Sequence, residues 1–287
     1  MRRMFCLGFG YCAQALAKRL ESKGWTVSGT ARTAERVSRL AAQGFDTIRY
    51  DGTRPSPEVA EALRVATHLL LSAPPSQAGD PLLLHHARDI EAASSLEWIG
   101  YLSTVGVYGN HDGAWIAEDA SLNATRKRGR WRVEAERSWL AFGEITVKTV
   151  QVFRLAGIYG PGRSAIDKLK SGQARRIIKP GQVFNRIHVE DIASVLEASI
   201  ANPYPGAIYN VSDDEPAPPQ DLVAYGASLL GIDPPPEVPF GEAEMSDMAR
   251  SFYGENKRVS NDRIKQELGV ELAYPSYREG LNAVLRK

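Results

Sequence analysis

Met4-Phe5-Cys6-Leu7-Gly8-Phe9-Gly10-Tyr11-Cys12-Ala13-Gln14-Ala15-Leu16 is a short apolar run that breaks into glycines and then into a helical pattern. It reads as a buried strand ending at Leu7, then a glycine turn, then a helix. Gly8 makes the tight turn, Gly10 lets the backbone approach a pyrophosphate, and the small Ala13 lets the next helix pack closely on a sheet. The helix amides then point at the phosphates. Gly8, Phe9, Gly10, Tyr11, Cys12 and Ala13 are thus a candidate dinucleotide-binding turn. A bare glycine turn between strand and helix has the same letters. Position favours the cofactor reading, because the stretch opens a long alternation of strands and helices.

With 287 residues the chain can bury a sizeable core, as one large domain or as a larger domain with a smaller one. A formal net charge of +1 provides no global field toward nucleic acid or membrane, so neither is expected as a partner. No apolar run reaches spanning length, and the first residues lead into the glycine turn without a cleavage-type signal. Cys6 and Cys12 read as small buried hydrophobes rather than a disulfide, and a cytoplasmic location is the default.

The second strand, Trp25 to Thr30, leads to Ala31-Arg32-Thr33, where a cofactor ribose would be read. An acidic side chain there accepts from a free 2'-hydroxyl, whereas Arg32 offers a fixed positive charge, so NADP is preferred to NAD. The plain alternative is an arginine at the exposed entrance to a helix beginning near Thr33. A third strand, Phe45 to Tyr50, ends at Asp51, which suits either an adenine amino group or a local turn. The fourth, Thr67 to Ser72, runs into Ser72-Ala73-Pro74, small residues against which a dinucleotide can lie. A helix follows over about Pro81 to Ser94; its adjacent His85 and His86 point apart, and no cluster has metal-ligand spacing.

The fifth strand, Trp98 to Ser103, enters Thr104-Val105-Gly106-Val107-Tyr108-Gly109 and precedes a long helix from about Arg128 to Phe142. A sixth strand is expected over Ile145 to Arg154. This alternation predicts an α/β fold, a doubly wound parallel sheet with ligands at the carboxyl ends of its strands. From Pro161 the texture changes to shorter elements broken by Pro and Gly. Residues 1–160 are therefore assigned to the nucleotide-binding domain. Residues 161–287 form a mixed segment with a smaller carboxyl-terminal substrate lobe, in which Phe184 to Val189 and Ala207 to Val211 are expected to return to the first sheet.

Five motifs taken in order resemble the short-chain dehydrogenase/reductase superfamily, in its extended and atypical NAD-dependent epimerase/dehydratase branch. They are Gly8 to Ala13, Leu102 to Gly109, Arg154 to Gly162, Arg186 to Ala193, and Tyr209-Asn210-Val211-Ser212. The resemblance implies a Rossmann-like domain that holds NAD(P), with Ser103 near the cofactor, and a lobe for a nucleotide-linked sugar or similar small molecule. It also implies a catalytic hydroxyl four residues before Tyr108, at Thr104, and makes a homodimer plausible. A threonine that simply closes a strand onto local backbone is the structural alternative.

The family's base is a Tyr-x-x-x-Lys pair at the start of the long helix. Here Arg128 and Arg132 stand in those places, in a segment Arg126-Lys127-Arg128-Gly129-Arg130-Trp131-Arg132 without a tyrosine. Arginine stays protonated, so Arg128 cannot serve as a phenolate, while Arg132 can still hold a ribose or phosphate. The literal Tyr253 to Lys257 match downstream reads as chance. Glu134 and Glu136 are expected to pair with neighbouring arginines on the exposed face of the helix. Arg163, Arg186 and Arg250 are candidate phosphate partners in the lobe, and His188 reads as structural. Two functions remain open: an NADP-dependent oxidoreductase or epimerase with an unusual site, and an NADP-binding sensor with little or no turnover.

Overall fold

The computed structural model describes residues 2–286. Strand and helix alternate as β1 (Arg3–Leu7), α1 (Tyr11–Glu21), β2 (Thr26–Ala31), α2 (Ala34–Ala41), β3 (Asp46–Arg49), α3 (Pro57–Val65), β4 (His68–Leu71), α4 (Pro81–Ala92) and β5 (Trp98–Thr104). They continue with α5 (Lys127–Thr146), β6 (Val150–Leu155), α6 (Val189–Ala201) and β7 (Ile208–Val211). The seven strands form one parallel sheet in the order β7-β6-β5-β4-β1-β2-β3. Strand order reverses between β1 and β4, and in open parallel sheets such a switch leaves a crevice beyond the strand ends. The register pairs Leu7 with Leu71, so the chain leaving each strand meets the other at that point.

The helices begin where local chemistry allows. Thr33, Ser56 and Asp80 cap α2, α3 and α4 by accepting backbone N–H bonds, and Pro57 and Pro81 open the last two. Sequence reading did not single out α3, although Ser-Pro-Glu is a start signal. α1 and α5 start from Gly10 and Arg126, neither of which supplies a side-chain cap. On one side of the sheet Phe5, Leu7, Leu69, Leu71, Ile99, Tyr101 and Val152 pack with Leu63, Leu82, Ile90 and Trp139 from the helices.

Two expectations need correction. The sixth strand does not start at Ile145, because α5 continues to Thr146 and ends at Val147 in the left-handed region, φ 55°. Ile145 and Val147 are β-branched but 81% and 91% exposed, so no sheet burial draws them into a strand. Phe184 to Val189 does not rejoin the central sheet either. Arg186–His188 pairs in parallel with Gly157–Tyr159 in a separate two-stranded sheet, while β7 lies beside β6 at the edge of the main one.

The chain forms two compact units. The first comprises Met1–Val107, Thr125–Arg154 and Ala193–Tyr209; the second comprises Tyr108–Ala124, Leu155–Ile192 and Asn210–Lys287. In the second, Ile166, Ala217, Leu222, Tyr277 and Leu281 form an apolar core. Gly280 fits there because a Cβ would fall 2.0 Å from the Tyr159 hydroxyl. Among the described residues no helix is long and apolar enough to cross a membrane.

Candidate functional site

The glycine turn at the end of β1 is held from three sides. Gly8 has φ +87°, and a Cβ on it would lie 3.0 Å from Ala73 N and 3.3 Å from Ser72 C, so both conformation and space demand glycine. Ser72 N and Ala73 N donate to Leu7 O at 2.9 and 3.0 Å, binding the end of β4 to the end of β1. Thr30, buried on β2, accepts from Gly8 N through Oγ1 at 2.8 Å, and its carbonyl accepts from Phe9 N at 2.7 Å. Gln14 reaches back from α1, its Nε2 donating to Gly10 O at 3.0 Å.

Thr30 and Gln14 brace the turn, and sequence reading gave neither a role. The Gly8, Phe9 and Gly10 N–H groups are bonded within the turn region, and Tyr11, Cys12 and Ala13 form the first turn of α1. No acidic residue lies in that turn, which suits an anionic ligand. Gly10 leaves room, its nearest neighbour being Ser72 Oγ at 3.8 Å from a would-be Cβ. Ala13 is fully buried, and Cys6 and Cys12 are buried and not joined in a disulfide.

Beyond β2, Arg32 is exposed and has no ion-pair partner among the described residues. Asp51 is exposed too, with Oδ1 accepting from Thr53 N at 3.0 Å and Thr53 Oγ1 at 2.7 Å. Those bonds hold its carboxyl below the usual carboxylate range and make it a turn-former. Pro74 is exposed and Ala73 partly buried in the loop after β4.

At the end of β5, Thr104 is partly buried and accepts from Gly106 N at 3.1 Å. Its hydroxyl proton remains available to a ligand. The Ser103 hydroxyl donates to Glu136 Oε1 in the interior. Glu136 corrects the expectation of an exposed pairing. It is 2% exposed and accepts from Arg154 Nη2 and Nε at 2.9 and 3.2 Å. Only Glu134 pairs on the outer face, with Arg137 at 2.8 Å.

One turn before Glu136, Arg132 donates to Leu102 O at 2.5 Å and lies over the Tyr101 ring, 5.7 Å from its centroid. Burial pushes the Tyr101 phenol up, and the guanidinium opposes that rise. Arg128 is exposed in the first turn of α5, without an ion pair among the described residues. α5 contains no tyrosine.

In the second unit the three arginines have different neighbours. Arg163 is exposed. Arg250 is also exposed, donating to Ala243 O at 3.0 Å and lying 5.3 Å from the Phe240 ring centroid. Arg186 is 8% exposed, and its Nη1 donates to Phe184 O and Ala217 O at 2.9 and 3.0 Å, so its role is largely to tie these segments together. Nearby Asp213 is 1% exposed, and among the described residues neither carboxyl oxygen accepts a side-chain hydrogen bond. Burial pushes it up to about 8, against the pull of Arg186.

His188 packs against Tyr159 and Tyr274, ring centroids 5.2 and 4.0 Å away, and its Nδ1 accepts from Glu190 N. Tyr253 closes a short helix, and Lys257 lies beyond it in irregular chain, donating to Gly109 O at 2.6 Å; the pair does not share a helix face. Among the described residues no group of three or more His, Cys, Asp or Glu is placed to hold a metal ion.

A solved structure from Silicibacter pomeroyi, described as a functionally unknown conserved protein, is 52% identical, covers 100% of this chain and 99% of its own, and superposes with a TM-score of 0.91. The chain belongs to the family of that protein. Protein YeeZ of Escherichia coli K12 is 28% identical over 96% of this chain and 97% of its own. No family model matches the chain. The UDP-glucuronic acid 4-epimerase of Bacillus cereus, solved with UDP-glucuronic acid and NAD, is 16% identical, covers 99% of this chain and 98% of its own, and has a TM-score of 0.78. The resemblance drawn from the motifs therefore holds for the fold, which is shared with NAD-dependent epimerase/dehydratases.

Proposed function

We propose that this protein binds a nicotinamide dinucleotide at the β1–α1 turn, prefers NADP, and acts as an oxidoreductase or epimerase-type enzyme. Its substrate is a nucleotide-linked sugar or another carbonyl or alcohol compound. The observation that carries this reading is the Gly8 turn: a left-handed glycine against Ala73 at the sheet's switch point, feeding a helix without a side-chain cap. The solved epimerase of this fold holds NAD, which supports the cofactor class, and exposed Arg32 after β2 supports a 2'-phosphate.

Gly8, Phe9, Gly10, Tyr11, Cys12 and Ala13 would hold the pyrophosphate, Ser72, Ala73 and Pro74 would border it, and Arg132 would contact the ribose or a phosphate. Asp51 is retained only as a neighbour of the adenine end. The cofactor, when bound, supplies hydride exchange. Thr104 then donates its hydroxyl proton in a hydrogen bond to the reacting oxygen, while Arg132 neutralises negative charge nearby. Arg163 and Arg250 are the accessible phosphate partners of the second unit.

The sensor reading draws support from α5. On its sheet-facing stripe Glu136 is locked to Arg154, and Arg128 and Arg132 accept no proton. Calorimetric titration with NADP, NADPH, NAD and NADH tests the shared premise: selective binding of the phosphorylated pair supports it, and no binding of any overturns both readings. Turnover of carbonyl compounds or nucleotide-sugars at ordinary enzyme rates, abolished in Thr104→Ala, separates enzyme from sensor.

A further inference from the structure

We infer that Arg128 receives an oxyanion of the substrate, a carboxylate or phosphate group adjacent to the carbon whose oxygen Thr104 addresses. The inference rests on the proposed placement of Thr104 at the reacting centre. It adds a substrate class.

The placement follows from register. Arg132 donates to Leu102 O at 2.5 Å and Glu136 accepts from Ser103, so the first turns of α5 run beside the carboxyl end of β5. A helix that joins two parallel strands runs back against them, so stepping toward the start of α5 is stepping toward the carboxyl end of β5. Four helical residues rise about 6 Å. Two strand residues, from Leu102 to Thr104, advance about 6.6 Å. Arg128, one turn before Arg132, therefore lies further toward the carboxyl end of β5, on the side of Thr104, and the spacing of four puts both arginines on one face.

Chemistry decides what the residue does there. Two neighbouring cations are engaged, Arg130 donating to Thr125 O at 2.5 Å and Arg137 pairing with Glu134 at 2.8 Å, whereas Lys127, like Arg128, has no ion pair among the described residues. Arg128 is exposed and has neither kind of partner among the described residues. Its charge stands above that of Arg132, in a first turn without an acidic residue, where the helix dipole is also positive. Such like-charge placement is unfavourable, and an anion would reverse it. A guanidinium cannot take up a proton, but its fork matches the two oxygens of a carboxylate or phosphate. Thr104, which accepts from Gly106 N and keeps its own proton, supplies the separate donor for the reacting oxygen.

The test titrates the full-length protein, with and without saturating dinucleotide, with UDP-glucuronic acid, UDP-glucose and inorganic phosphate, in wild type, Arg128→Ala and Arg128→Lys. The expected result is binding of UDP-glucuronic acid about tenfold tighter than of UDP-glucose, or competition by phosphate, lost in Arg128→Ala and partly kept in Arg128→Lys. An advantage for the glucuronate identifies a carboxylate; competition by phosphate alone identifies a phosphate ester. Dinucleotide affinity should stay within about twofold in both variants, since Arg128 is not assigned to the cofactor. The inference is overturned if Arg128→Ala leaves every probe's affinity unchanged, or if no probe binds wild type at millimolar concentration. Loss of dinucleotide binding in wild type would instead end the cofactor reading, while the titrations without dinucleotide still decide the role of Arg128.

Discussion

Arg154 of β6 and Glu136 of α5 meet inside the first unit, Nη2 to Oε2 at 2.9 Å, with side chains only 3% and 2% exposed. The pair pins the long helix to the sheet below the level of Thr104, and Ser103 adds its hydroxyl to the same carboxylate. Removing one partner strands a buried charge. Glu136→Ala or Arg154→Ala should therefore cost about 3–5 kcal/mol in urea unfolding. Glu134→Ala, which breaks an exposed pair on the same helix, should change stability by less than about 1 kcal/mol.

Gly8→Ala forces a side chain into the left-handed region and against Ala73 N, 3.0 Å from the new Cβ. The conformational strain alone is about 1–2 kcal/mol. Dinucleotide affinity, read by calorimetry, should fall by about tenfold or more, because the strain is relieved by moving the turn that carries the phosphate site.

Arg32→Ala removes an exposed charge with no ion-pair partner among the described residues, so stability should move by less than about 0.5 kcal/mol. The ratio of NADP to NAD affinity should drop by about tenfold, the value of one charge-assisted phosphate contact. An unchanged ratio would remove Arg32 from the cofactor site.

His68, 3% exposed between Trp25 and Trp98, is held down to about 4, chiefly by burial and secondarily by Arg2. The unfolded chain takes up the proton first, near its ordinary value of about 6.5. Stability is thus fully present above about pH 6.5 and is lost as pH falls toward about 4, by on the order of 3 kcal/mol. His68→Phe should flatten that acid limb in chemical denaturation curves.

Asp213 behaves in the opposite sense. Burial raises its carboxyl to about 8, so the folded state holds a proton that the unfolded state has released. Stability present at low pH is lost as pH rises from about 4 through about 8. Asp213→Asn keeps the shape without the ionisation and should raise stability at pH 8 by about 1–2 kcal/mol, provided its amide finds a partner.

The order of apolar runs and glycine breaks was enough to determine the doubly wound sheet, because period and turn chemistry are local properties of the chain. The same holds for Gly8, Gly10 and Ala13, whose smallness is itself the signal. Where burial decides, the letters were silent. Ile145 and Val147 have strand-forming side chains but lie at the exposed end of α5, and Glu136 looked like one more surface charge until Arg154 arrived from a strand 18 residues later. Arg186 to Val189 alternates polar and apolar residues as a strand of the main sheet would, yet its Arg186–His188 pairs with Gly157–Tyr159. Thr30 and Gln14 acquire their bracing roles only when β2 and α1 close around the turn. Local conformation is encoded within a few neighbours, whereas the partner of a buried polar group is chosen by whichever distant segment the packed core brings to it.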